Sequence, residues 1–290
     1  MPLSQLLRSH LESLIANETG VMDSIRSVHP VSGGDINAAY RLDGNDSRYF
    51  LKVNDAPLFP DIFEREATGL ETLGNVTPGV LTHGEFGKEI FLLIPWIEVG
   101  VKSALGHQNL GRMLAGVHQR TSDNFGLEYD NYIGTLPQIN MQCRTWATFF
   151  IEHRLLYQIE LANSKGFISS KLGNDFEILF NRFDELYPIE SPSLLHGDLW
   201  SGNYLISSDS KPFLIDPAIY YGHREMDIAM TKLFGGFSAD FYTAYHEQFP
   251  LQRGWQQRVS LWNLYPLLVH VNMFGTSYLP ELKDCLAKWL

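Results

Sequence analysis

Three carboxylate or carboxamide side chains lie in the stretch Leu194–Asn203 and its continuation Phe213–Pro217: Asp198, Asn203 and Asp216. Asp198 and Asn203 stand in an Asp-x-x-x-x-Asn spacing, and His196 sits two positions before the Asp. That layout suits phosphoryl transfer. The first Asp orients an acceptor hydroxyl and takes its proton, while the Asn and a later Asp hold Mg²⁺. Between Asn203 and Asp216 the chain reads apolar (Tyr204-Leu205-Ile206), polar (Ser207 to Pro212), then apolar again (Phe213-Leu214-Ile215), which predicts a hairpin. A hairpin returns its ends to one place, so Asn203 and Asp216 would face one ion. Asp198 is therefore the candidate base, and Asn203 and Asp216 the candidate metal ligands.

Charge on a transferred phosphoryl group must also be met from elsewhere, and the N-terminal third offers the means. A helix over Leu3–Ile15, ending near Thr19-Gly20, precedes an extended segment Ile25–Val31 and a strand Ala38–Leu42. Between the two strands lies Ser32-Gly33-Gly34-Asp35-Ile36-Asn37. Gly33 and Gly34 could bring backbone N–H groups up to phosphate oxygens, since no Cβ stands in the way. Two adjacent glycines between strands also make an ordinary hairpin turn.

Lys52 lies in the strand Tyr49–Val53, flanked by apolar residues. It is either an outward-facing strand lysine or the cation that neutralises α- and β-phosphates. The second role needs an acidic partner on the next helix, Asp61–Leu73. Phe63, Ala67 and Leu70 share a face there and Glu66 borders it, whereas Glu64 lies about 200° round the helix. Glu66 is the expected partner.

A second strand pair, Val80–Gly84 and Glu89–Ile94, leads into Pro95-Trp96-Ile97-Glu98. A boundary between lobes is expected here, giving residues 1–97 as a nucleotide-binding lobe and 98–290 as a catalytic and substrate-binding lobe. At such a hinge the Pro95 carbonyl could accept from adenine. Proline has no N–H, so Ile97 would have to supply the donor. Beyond Gly106 the periodicity turns helical: Leu110–His118, Trp146–Leu161, Phe176–Leu186, and four further helices around Glu225–Phe234, Phe237–Phe249, Trp255–Val271 and Leu279–Leu290. Phe125–Gly134 reads as a loop. Gly222–Asp227 reads as an exposed charge cluster opening a helix, with Asp227 placed to tie the catalytic loop from below. The expected fold class is α+β: a bilobal, protein-kinase-like fold with a small β-rich N-lobe and a larger, mostly helical C-lobe.

Composition narrows the partners. The formal net charge of −11 argues against a nucleic-acid binder that relies on a basic face. Two cysteines, Cys143 and Cys285, stand in no metal-ligand spacing, a reduced intracellular pattern. The N-terminus lacks a signal architecture, and the apolar runs are too short or too interrupted to span a bilayer. A cytoplasmic protein with no membrane and no nucleic-acid partner is expected. Its many histidines form no metalloprotease-type motif, and His196 reads as a brace for its own loop.

The sequence resembles the fructosamine/ketosamine kinase family, within the aminoglycoside-phosphotransferase-like and choline-kinase-like group. The likeness covers nearly the whole chain. It is carried by Phe125-Gly126-Leu127, Asp130-Asn131-Tyr132-Ile133-Gly134, Pro137-Gln138 and Asn140, by His196–Asn203 with Trp200, by Ile215-Asp216-Pro217-Ala218, and by Tyr220–Glu225 with Asp227. Trp200, two residues after Asp198, is the specific part. Asp35 stands where some relatives carry Cys, and Pro95 where relatives often carry an acidic residue. The resemblance implies ATP- and Mg²⁺-dependent phosphorylation of the 3-hydroxyl of a ketosamine, free or on a protein lysine, in a deglycation repair reaction. It also makes Trp200 and His270 candidate substrate residues, with core packing the alternative for each. Rival readings are a kinase for an aminoglycoside or choline, and a non-catalytic nucleotide-binding module on the same fold.

Overall fold

Ser4 opens the first helix. Its hydroxyl accepts from the N–H of Leu7 at 3.1 Å, satisfying one of the donors that a helix start leaves without a partner. In the computed structural model, which describes residues 3–31, 37–57, 59 and 61–290, this helix, α1 (Gln5–Thr19), ends at Gly20 in the left-handed region. Leu7, Leu11 and Ile15 are its buried stripe, at the i, i+4 spacing that lines one helix face.

The chain divides into two compact units, the first comprising Met1–Val101, Leu205–Asp209 and Phe213–Asp216. Within it, β1 (Ser27–Pro30), β2 (Ala38–Asp43), β3 (Arg48–Asp55), β4 (Thr82–Phe86) and β5 (Glu89–Pro95) form one antiparallel sheet in the order β1-β2-β3-β5-β4. Alternation along β3 sends Tyr49, Leu51 and Val53 into the core shared with the α1 leucines and sends Lys52 to the opposite face. Helix α2 (Ile62–Leu73) follows β3. The ribbon β9 (Tyr204–Ile206) with β10 (Pro212–Leu214) matches the expected hairpin. Residues of it are tied to this unit by Gly100 N–H on the Ile206 carbonyl (2.9 Å) and Leu214 N–H on that of Val76 (2.8 Å).

The second unit holds Lys102–Tyr204, Ser210–Pro212 and Pro217–Leu290. It contains α3 (Ala104–His118), the hairpin β6 (Asn131–Ile133) and β7 (Leu136–Gln138), α4 (Trp146–Phe150), a π-helical stretch Ile151–Leu156, α5 (Tyr157–Ser164) and α6 (Ser170–Phe180). Strand β8 (Ser193–Leu195) pairs with β11 (Tyr220–Gly222). Then come α7 (Glu225–Leu233), α8 (Ala239–Gln248), α9 (Trp255–Trp262), α10 (Leu264–Phe274) and α11 (Leu279–Ala287). An aromatic cluster of Trp146, Phe149, Phe150, Phe183 and Trp262 anchors its core.

Two sequence expectations fail here. The segment read as a loop, Phe125–Gly134, contains strand β6, which pairs with β7 just beyond it. The helix expected over Trp255–Val271 is two helices, broken at Asn263. Pro266, in the first turn of α10, explains the break. Proline lacks an N–H to give and is tolerated only where a helix has just begun. Among the described residues, no helix is long and apolar enough to cross a membrane.

Candidate active site

Lys52 is 7% exposed, and burying an ammonium without partners is costly. It has two. Nζ donates to Glu66 Oε1 at 2.7 Å and to Asp216 Oδ1 at 2.6 Å. Burial opposes the Lys52 charge, but the carboxylates of Asp216 and Glu66 outweigh it and hold the ammonium above the ordinary lysine value. Glu66 is pushed upward by its own burial and by the nearby Asp216 carboxylate, against the pull of Lys52. Glu64 is exposed, so the helix phase chooses Glu66. Asp216 adopts φ 54°, a left-handed conformation that is uncommon outside glycine and commonest for Asn and Asp. Its side chain stays 43% exposed.

In the second unit, the loop after β8 is held from several directions. Asp227, on α7, accepts from the N–H of His196 (2.7 Å) and from that of Gly197 (2.9 Å). Its Oδ2 also receives His118 Nε2 at 3.1 Å, and His118 Nδ1 pairs with the Tyr245 hydroxyl at 2.8 Å. Burial opposes the Asp227 charge, yet His118, His196 and the Gly197 N–H hold its carboxyl below the ordinary value. His196 is fully buried and its Nδ1 accepts the N–H of Asp198 at 3.2 Å. Gly197 has φ 84°, and a Cβ there would stand 2.0 Å from the Ala218 carbonyl oxygen. Only glycine fits between His196 and Asp198. Asn203 Nδ2 donates to the Asp198 carboxylate (3.0 Å) and carbonyl (2.8 Å), which fixes the side chain of Asp198 against its own loop. A narrow, mostly apolar cavity opens at Asp198, lined also by Ile133, Met230, Tyr265, Val269 and His270.

Sequence reasoning missed the buried polar support beneath this loop. Gln138 Nε2 donates to the Ala218 carbonyl (3.1 Å) and Asn131 Nδ2 to that of Ile219 (2.9 Å). Asn140 and Gln138 both donate to Asn131 Oδ1, and Tyr265 donates to Gln138 Oε1. Arg154, fully buried, donates to Asn140 Oδ1 at 2.7 Å and lies over the rings of Tyr220 and Phe149. Side chains of the 130–140 segment thus satisfy the backbone just past Asp216, in the low-dielectric setting where an unpaired group is most costly. The Gly222–Asp227 cluster is a second correction: it is buried, not exposed. Arg224 pairs with Glu190 at 2.8 Å, and Glu225 accepts from Arg258 (2.6 Å) and from the Trp262 indole (2.8 Å). Buried charges need such partners.

A family model described as fructosamine kinase matches residues 7–290. The chain belongs to the fructosamine kinase family. A protein of Lactiplantibacillus plantarum named "Probable ketoamine kinase" is 41% identical over 275 residues, spanning 92% of this chain and 96% of that one. The Arabidopsis thaliana "Protein-ribulosamine 3-kinase, chloroplastic" is 36% identical over 269 residues, spanning 89% of this chain and 81% of that one. A crystal structure of a protein assigned as a fructosamine-3-kinase, from Haemophilus somnus 129PT, superposes with a TM-score of 0.87 at 27% identity, covering 97% of this chain and 96% of that chain. The fold class is the α+β, protein-kinase-like one expected of a fructosamine kinase.

The remaining expected site residues are placed as follows. Gly33 and Gly34, with Asp35, lie outside the described residues. Pro95 pairs with Tyr49 at the end of β5, and the Trp96 N–H is used on the Arg48 carbonyl at 3.0 Å, so Ile97 is the next residue with an N–H as the chain leaves the sheet. Trp200 is 37% exposed. His270 lines the Asp198 cavity on α10 and is ringed by Phe234, Phe274 and Tyr278.

Proposed function

We propose that the chain is an ATP- and Mg²⁺-dependent kinase that phosphorylates the 3-hydroxyl of ketosamines. The observation that carries the phosphoryl-transfer chemistry is the buried Lys52 ammonium, held by Glu66 and Asp216. A fixed, permanently charged group is what α- and β-phosphates require, whereas an outward-facing strand lysine would stay in water and need neither carboxylate. The acceptor class follows from the family and from the relatives named ketoamine kinase and ribulosamine 3-kinase.

The roles divide as follows. Residues 1–97 form the nucleotide lobe, with Gly33 and Gly34 under the phosphates and the Pro95 carbonyl and Ile97 N–H on adenine. Residues 98–290 hold the acceptor, with Trp200 beside the base. Asn203 uses its amide N–H₂ on Asp198, leaving Oδ1 for a cation. Asp216 keeps a second carboxylate oxygen on a partly exposed side chain. Hard oxygen donors of this kind suit Mg²⁺, which neutralises phosphate charge when bound. Asp198 takes the proton of the acceptor O3 as that oxygen attacks the γ-phosphorus. The bond from phosphorus to the bridging oxygen breaks and ADP leaves with the electron pair.

The product is chemically unstable. Enolisation across C1 and C2 makes the C3–O bond allylic, and phosphate leaves far more readily than hydroxide. The resulting iminium at C1 takes up water and releases the free amine, which makes the reaction a repair of glycated amines. We place it in the cytoplasm, where the unpaired Cys143 and Cys285 stay reduced. ADP release over a panel of ketosamines, aminoglycosides and choline tests the reading. Turnover with an aminoglycoside or choline but no ketosamine would overturn the substrate assignment, and absence of ATP binding would overturn the kinase itself.

A further inference from the structure

Contiguous exposed apolar patches mark binding sites, and two exposed aromatic rings, Phe234 and Phe274, both pack on His270 in the second unit beside the Asp198 cavity. Phe234 is 37% exposed and Phe274 50% exposed. Both lie against His270, at 4.8 and 5.4 Å between ring centroids, and half-buried Tyr278 closes the group at 4.9 Å from His270 and 6.2 Å from Phe274. The four rings come from three segments: the residue that caps the end of α7, the C-terminal half of α10, and the turn just before α11. Core packing alone would have turned them inward.

His270 links this group to the chemistry, because it also lines the cavity that contains Asp198. Its Nδ1 lies 2.7 Å from the Pro266 carbonyl. A carbonyl can only accept, so Nδ1 carries the proton and a neutral ring presents Nε2 as an acceptor. Burial holds the His270 pKa below the ordinary histidine value, which keeps the ring neutral at physiological pH. The charged residues lining the cavity, Asp198 and Asp227, are acidic; no lysine or arginine is among its described lining residues.

We propose that Phe234, Phe274 and Tyr278, gathered round His270, form the binding site for the carrier amine of the acceptor, selecting ketosamines whose carrier is apolar or aromatic over those with a carboxylate next to the glycated nitrogen. This rests on the ketosamine-kinase reading above. A ketosamine nitrogen is a secondary amine, protonated near neutral pH. Aromatic faces attract such a cation, neutral His270 can accept its N–H, and flanking carbons cover the exposed rings. A carboxylate on the first carbon of the carrier would meet aromatic faces and two aspartates with no cation to pair with, and burying an unpaired charge is strongly disfavoured.

The test compares two fructose adducts, one on benzylamine and one on the α-amine of glycine, by steady-state kinetics with saturating Mg²⁺-ATP. Both adducts carry the same secondary ammonium, so the preference reads the carrier: the wild-type protein is expected to favour the benzylamine adduct by about tenfold or more in kcat/KM, because the benzyl ring packs on the exposed aromatic faces while the glycine carboxylate finds no cation. Phe234→Ala with Phe274→Ala should erase most of that preference, with the loss falling on KM for the benzylamine adduct, as removal of uniform binding does. Phe274→Leu keeps the apolar area but not the π-face, and should lose part of the preference. An unchanged KM for ATP verifies that each variant is folded. Equal efficiency on the two adducts in the wild type, or an equal loss on both in the variants, overturns the proposal while leaving the kinase reading in place. If neither adduct gains phosphate, the kinase reading fails first and this proposal with it.

Discussion

Asp227 makes no contact with any group that reacts, yet the account requires that its loss be severe. Its carboxylate is the acceptor for two backbone N–H groups of the catalytic loop and for His118. In Asp227→Ala the His196 and Gly197 N–H groups lose that partner. Each buried donor left unsatisfied costs about 1–3 kcal/mol, so the pair costs about 2–6 kcal/mol, a large share of an ordinary folding stability of about 5–15 kcal/mol. Asp227→Asn keeps one acceptor oxygen but sets an N–H₂ donor against donors, so its cost falls at the lower end of that range.

The effect depends on pH in a defined direction. The Asp227 carboxyl is held below its ordinary value in the folded protein, so the unfolded chain binds the proton more readily. The stabilisation is present in full above the ordinary carboxylate pKa of about 4 and fades as pH falls below it. Urea unfolding of the wild type and Asp227→Asn, scanned from about pH 2 to about pH 7, should therefore show a gap that is constant above about pH 4 and narrows below it. Turnover should drop by about 10²-fold in Asp227→Asn, since a small displacement of the loop misplaces Asp198, while nucleotide affinity changes little. A folded Asp227→Ala protein with wild-type stability and turnover would refute the anchoring argument.

Three further outcomes are expected. Asp198→Asn should lower kcat by orders of magnitude with ATP affinity retained, because only the carboxylate can take the acceptor proton; near-normal turnover in a single-turnover assay removes it from that role. Lys52→Met should depress kcat and loosen ATP in a fluorescence titration, and Glu66→Gln should do so more mildly by freeing Lys52, whereas Glu64→Gln should be silent. Asp216→Ala should weaken nucleotide affinity measured with Mg²⁺ far more than affinity measured in EDTA, and equal losses in both would take Asp216 out of the metal role.

Much of this arrangement was legible in the sequence where local periodicity carries it. The phase of α2 separates Glu66 from Glu64, because Phe63, Ala67 and Leu70 fix which face is buried. The apolar–polar–apolar run after Asn203 is a short-range hairpin signal, and the ribbon forms as read. The β6–β7 hairpin escaped because Asn131 and Gln138 occupy inward positions and erase the alternation that marks a strand. Their burial is explained only by the Ala218 and Ile219 carbonyls, some 80 residues on. Glu225 misleads for the same reason: a charged residue opening a helix reads as solvent-facing until its partner, Arg258, is brought beside it by the tertiary fold. The break at Asn263 is hidden by apolar periodicity that continues through it.

The central claim is the transfer of phosphate from ATP to O3 of a ketosamine, and mass spectrometry with ³¹P NMR tests it directly. Fructose-lysine or ribulose-lysine is incubated with the enzyme and Mg²⁺-ATP and followed over time. A phosphorylated adduct should form, with its phosphorus coupled to the proton on C3, and should decline as free lysine and inorganic phosphate appear. Phosphate on another hydroxyl, or a phosphorylated adduct that never releases lysine, would contradict the account.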